Sequence, residues 1–172
     1  LCEVPQKKKI KYLNFFVEAE YIVRDLINLP PNFLGPQILE NFAKKFSIFH
    51  GTKFGVIKGK QLLEENLPLI FEVGKGSKQK PRLIKLDHGP KNAKLKIALI
   101  GKGVCFDSGG LNLKSSEGMR LMKKDMAGAA AVLGLGHYLL SRRVNIKLQI
   151  LIPCVENMVS GNSYRPGDIL VA

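Results

Sequence analysis

The chain has 172 residues, 45% of them hydrophobic and 24% charged, with a mean hydropathy of +0.02. That balance belongs to a folding globular chain of one domain and excludes the disordered, collagen-like and low-complexity classes. The formal net charge is +13, from 27 Lys and Arg against 14 Asp and Glu. Even the densest basic stretch, residues 75–102, holds one arginine, Arg82, and no aromatic residue. It lacks both bidentate base readers and stacking platforms, so a solvated Lys-rich surface is expected ahead of a nucleic-acid partner.

In chain order, residues 1–14 read as a linker or the end of a preceding domain. Residues 13–28 place Phe16, Ala19, Ile22, Val23, Leu26 and Ile27 at helical spacing, with Glu18, Glu20, Arg24 and Asp25 on the other faces. Pro30 and Pro31 stop this helix, and Pro36 suits the first turn of another over 37–46. A strand over 53–57 and a helical piece over 61–66 follow. Three strand-like runs come next, 69–73, 82–86 and 95–100, the first two separated by a loop over 74–78. The last run is nearly all apolar, as in a strand covered on both faces. A Gly-rich turn leads to an apolar helix from Asp125 to about Leu140, small-sided enough to need packing from nearly every direction. Residues 146–152 form another buried strand. The alternation predicts an α/β fold, a mixed and largely buried sheet flanked by helices on both faces.

The ends carry two oddities. Residue 1 is Leu rather than Met, and Asp168-Ile169-Leu170-Val171-Ala172 reads as a strand cut off while still apolar. A fragment of a longer protein is expected. Three cysteines, Cys2, Cys105 and Cys154, are odd in number and lack a C-x-x-C pair. This argues against a disulfide framework or a thiolate zinc site and for a reducing compartment. No apolar run approaches the ~18 residues of a membrane span. The Lys7-Lys8-Lys9 start lacks the apolar core of a signal peptide. A cytoplasmic location without membrane attachment is expected.

Residues 100–128, IGKGVCFDSGGLNLKSSEGMRLMKKDMAG, concentrate the chemistry. After a buried strand come Lys102, Asp107, Lys114 and Asp125, where α/β sheets place their ligands. Asp125 precedes the apolar helix, whose positive end favours a carboxylate. A purely structural reading stays open, with Asp125 as a helix cap and Asp107 as a turn residue. The lysines are salt-bridge partners or catalytic cations. The run GKGVCFDSGG has neither the G-x-G-x-x-G spacing of a dinucleotide fingerprint nor the G-K-[ST] ending of a P-loop.

The stretch GKGVCFDSGGLNLKSSEGMRLMKKDMAGAAAVLG resembles the signature of the leucyl aminopeptidase family, cytosolic di-metal exopeptidases. VRDLINLPPNFLGPQILENFAKK and IPCVENMVSGNSYRPGDIL resemble its flanking segments, so the likeness runs over residues 15–172, the N-terminal part of that family's catalytic domain. The resemblance implies a metal-dependent aminopeptidase that releases N-terminal, Leu-like residues from peptides through water activated by two divalent ions, Mn²⁺ or Zn²⁺. Carried over by position, Lys102 is a neutral-amine metal ligand, Asp107 a carboxylate bridging both metals, and Asp125 a ligand of the tighter site. Lys114 is a protonated lysine that stabilises the oxyanion, and Met122 lines the pocket for the first substrate side chain; as a plain reading of the residues, Met122 is equally a core methionine. The family also carries an Asp-x-Glu-x-Arg stretch that supplies further ligands and an Arg-held bicarbonate. Nothing in these residues matches it, so this chain alone is expected to be inactive or nearly so. The three histidines, His50, His88 and His137, are isolated in sequence and do not replace the missing ligands. A hexameric assembly is implied by the resemblance alone. The competing reading is a non-catalytic remnant or binding module, an assembly or nucleic-acid partner.

Overall fold

The computed structural model describes residues 6–171. Helices α1 (Lys7–Asn28) and α2 (Pro36–His50) lead into strand β1 (Lys53–Lys58). Short helices α3 (Gln61–Glu64) and α4 (Pro68–Gly74) precede strands β2 (Arg82–His88), β3 (Lys96–Ile100) and β4 (Gly103–Asp107). Helix α5 (Ser116–Arg120), a 3₁₀ turn (Met122–Met126), helix α6 (Ala127–Ser141) and strand β5 (Lys147–Asn157) complete the order. The architecture is the expected α/β fold with a mixed sheet.

Strand β5 is the hub. It pairs antiparallel with β2, which pairs antiparallel with β1. Along its other edge it pairs in parallel with β3 and then with β4. Residues 96–107 thus form one edge interrupted at Gly101 and Lys102. The sequence predicts a Gly-rich turn directly after the strand that ends near residue 100; pairing in fact resumes at Gly103, because Cys105 and Phe106 are apolar and reach the core, each 1% exposed.

One face of the sheet, carrying Ile84, Leu86, Leu148, Ile150 and Ile152, forms a continuous core with Leu39, Ala43 and Phe46 of α2 and Ala129, Ala130 and Leu133 of α6. Helix α1 packs on α6 and closes this layer through Leu26. On the other face, α4 seats its Gly74 against Val155 at one end of β5. Strand β3 is therefore not covered on both sides as its composition led one to expect: Ile97 and Leu99 pack against the core, whereas Ile100 is 69% exposed. Helix α6 also departs from the expected all-round packing, since Ala131 and Leu135 face outward.

Three further segments differ from what the sequence predicts. Residues 69–73 are helical, not a strand. A short apolar run does not distinguish the two states by periodicity, and Pro68 at the first helical position decides it. Helix α1 starts at Lys7 rather than at residue 13. Residues 168–171 form no strand. The backbone of Ile169 is instead clasped by the Asn32 carboxamide, which accepts from its N–H at 3.1 Å and donates to its carbonyl at 2.8 Å. Cys2 and Ala172 lie outside the described residues. Cys105 and Cys154, distant in sequence, meet in the core as free thiols with sulfurs 3.9 Å apart. Burial and the hydrogen bond between them push the Cys105 thiol up, the bond contributing most.

Candidate active site

The interruption at Gly101 and Lys102 is where the first candidate residue sits. Helix α6 approaches so closely that a Cβ at Gly101 would lie 2.6 Å from the Gly128 carbonyl oxygen and 2.6 Å from Val132 Cγ2. Only glycine leaves that space. The Ala129 N–H then donates to the Lys102 carbonyl at 2.9 Å, tying the strand break to the start of the helix. This brings Lys102 Nζ within 2.8 Å of Asp125 Oδ1, in the 3₁₀ turn just ahead of α6. The Lys102 side chain is 60% exposed and that of Asp125 19%, so the ion pair itself contributes little to stability. The other oxygen, Asp125 Oδ2, is buried and has no hydrogen-bond partner among the described residues.

Asp107 ends β4. Its Oδ1 accepts from the Gly109 N–H at 2.9 Å and from Asn157 Nδ2 at 2.8 Å, and Lys114 Nζ lies 3.1 Å from its Oδ2. Gly109 holds φ at +91°, a conformation that favours glycine, and the chain returns so that the Lys114 N–H reaches the Ser108 carbonyl at 3.0 Å. That closure delivers Lys114 to Asp107 across seven residues. Burial works against the Asp107 charge. The Gly109, Lys114 and Asn157 hydrogen bonds together outweigh it and hold the carboxyl below the ordinary aspartate range. Met122, half-buried, opens the 3₁₀ turn that carries Asp125.

The structure therefore brings the four charged candidates into two lysine–carboxylate pairs. Strand β4 packs directly on the 3₁₀ turn. Sequence reasoning missed Asn157, because its link to Asp107 depends on the β4–β5 pairing that was read as a turn. The histidines are not isolated in space. His50 Nε2 and His137 Nδ1 are 3.1 Å apart, and His137 Nε2 is 3.0 Å from Glu18 Oε2. His137 lies in the far half of α6, and His50 is the last residue of α2. Among the described residues no three His, Cys, Asp or Glu side chains converge as a metal cluster. The groups that could hold a cation are the Asp107 and Asp125 carboxylates, the Lys102 amine being engaged by Asp125 as an ion pair; the unpartnered Asp125 oxygen is the kind of atom a bound cation satisfies.

Residues 21–172 match the family described as the cytosol aminopeptidase family, catalytic domain. The chain belongs to the cytosol aminopeptidase family. A probable cytosol aminopeptidase from Aquifex aeolicus is 42% identical over 164 residues, 95% of this chain and 33% of that protein. Another from Azotobacter vinelandii is 44% identical over 158 residues, 91% of this chain and 32% of the relative. The solved cytosol aminopeptidase from Coxiella burnetii matches with a TM-score of 0.85 at 42% identity, covering 94% of this chain and 35% of that one. The bottromycin maturation enzyme BotP in complex with Mn matches with a TM-score of 0.85 at 34% identity, covering 96% of this chain and 36% of the other. The chain spans about a third of the length of these cytosol aminopeptidase relatives.

Proposed function

We propose that the pairs Lys102–Asp125 and Lys114–Asp107 are part of the active site of a metal-dependent aminopeptidase acting on peptides with free, Leu-like N-termini. The observation that carries this reading is Asp125 Oδ2, a buried carboxylate oxygen without a partner in a chain of this family. Lys102, Asp107 and Asp125 would hold Mn²⁺ or Zn²⁺, and divalent ions bound there would lower the pKa of a shared water toward neutrality. The two carboxylates supply the negative charge. Lys114, a cation beside Asp107, would stabilise an oxyanion that develops during attack. Met122 lines the pocket for the N-terminal side chain. The location is the cytoplasm, a reading supported by the names of the cytosol aminopeptidase relatives.

Three donors match the protein ligands of one catalytic zinc ion and fall short of two ions. Residues 1–172 alone therefore bind Mn²⁺ but hydrolyse leucyl substrates poorly. Two measurements test this. Calorimetric titration with Mn²⁺ should show binding that Asp125→Ala removes; no binding by the unmodified chain rejects the metal site. A leucine p-nitroanilide assay with added Mn²⁺ should show turnover no higher than the metal-free control. Robust turnover would sink the claim of a catalytically insufficient donor set.

A further inference from the structure

We infer that Asn157 is a positioning residue for the candidate metal centre: it reserves one oxygen of Asp107 and so leaves the other as the cation-binding atom. The inference rests on the metal-site reading above. A carboxylate oxygen offers about two lone-pair directions. Those of Asp107 Oδ1 are both taken, by the Gly109 N–H at 2.9 Å and by Asn157 Nδ2 at 2.8 Å. Among the described residues, Oδ2 meets only Lys114 Nζ, at 3.1 Å. A cation at Asp107 is thereby directed to Oδ2, and the carboxylate plane is fixed before any cation arrives.

Asn157 is itself held rigidly. Its carbonyl accepts from the Ser108 N–H at 3.0 Å and from Ser108 Oγ at 2.7 Å. The preceding residue, Glu156, is 4% exposed. It is anchored by an ion pair with Arg165 and by the Ser77 hydroxyl, which donates at 2.7 Å. Arg165 in turn reaches Asp168 at 3.2 Å. The end of β5 is clamped on both sides, and the carboxamide is the one side-chain donor it turns toward Asp107. Partners that orient a ligand in this way are typically worth 10–100-fold in metal affinity.

The test is calorimetric titration of the 172-residue chain with Mn²⁺, run for Asn157→Ala, Asn157→Leu and Asp107→Asn, with Co²⁺ absorption recorded in parallel. Loss of the carboxamide should weaken Mn²⁺ binding about 10–100-fold and alter the visible Co²⁺ bands, while the urea midpoint of the metal-free chain stays close to that of the unmodified one. Asn157→Leu keeps the branched four-atom skeleton of the side chain, so it separates the missing hydrogen bond from a cavity if Asn157→Ala folds poorly. Unchanged affinity and Co²⁺ bands in the Asn157 variants, with binding lost in Asp107→Asn, overturn the positioning role and leave the metal-site reading standing. Weakening that merely follows a lowered urea midpoint also overturns it. If Asp107→Asn binds Mn²⁺ like the unmodified chain, the metal-site reading falls and this inference with it.

Discussion

Helix α6 carries polar groups near both ends, and they are treated differently. Beyond its middle, His137 is 6% exposed and both ring nitrogens are engaged, one by Glu18 of α1 and one by His50 of α2. Ahead of its first turn, Asp125 has one oxygen on an exposed lysine and the other on no group among the described residues. The two lie 12 positions apart, about 18 Å along a helix. A buried polar group whose bonding capacity is used up by its own fold ties elements together. One left with spare capacity is available to something else. Satisfaction, rather than residue type, separates the structural cluster from the candidate ligand set.

That contrast can be broken by experiment. The largest effect is expected from His137→Ala, which opens a cavity and strips partners from Glu18 and His50. It should destabilise the chain by about 2–4 kcal/mol in urea unfolding, with Mn²⁺ binding otherwise intact. Loss of metal binding beyond the loss of folded protein would erase the distinction between the two ends. Gly101→Ala should cost about 1–3 kcal/mol by overpacking and, by prising β3 from α6, weaken Mn²⁺ binding as well. Equal affinity would show that the close approach does not set the Lys102–Asp125 distance.

Acid should act on the histidine end. Burial, His137 and His88 lower the His50 pKa to about 4 from 6.5. Between those values the unfolded chain binds the extra proton and the folded chain does not. Stability is therefore fully present above about pH 6.5 and declines as the pH falls toward 4, by about 1–2 kcal/mol once the shift is discounted for the exposed part of the ring. His50→Gln should flatten this slope in unfolding measured across pH 4–7, and an unchanged slope would exclude His50 as its source. The smallest stability effect belongs to Asp125→Asn, at most about 1 kcal/mol without metal, because it removes only a half-exposed ion pair. The same substitution should nonetheless remove most Mn²⁺ affinity.

Where local sequence determines local structure, reading the chain worked. Pro36 starts α2, which ends at Gly51 with φ +63°, and alternating burial marks most of β5. The four charged candidates stand out in the sequence because the run around them resembles a family signature, and the structure gathers them into two lysine–carboxylate pairs. The failures are tertiary. LIFEV became helical because of Pro68 in front of it. Strand β4 was hidden because glycines at 101 and 103 read as a turn, whereas here they allow close packing against α6 and β5. Asn157 and the Glu18–His137–His50 chain depend on contacts spanning 50 to 119 positions, which no periodicity reveals.

Strand β5 lies late in the chain yet joins β2, β3 and β4. Until residues 147–157 are available, β1 and β2 can form a hairpin, but β3 and β4 have no edge to pair with. The partners in the β2–β5 register are 60 to 72 positions apart, so closing the sheet demands large loop closures before any pairing rewards them. During synthesis the Lys102, Asp107 and Asp125 region is thus made before the strand that orders it. Folding of the site should be slow, all-or-none and timed by the emergence of β5 from the ribosome.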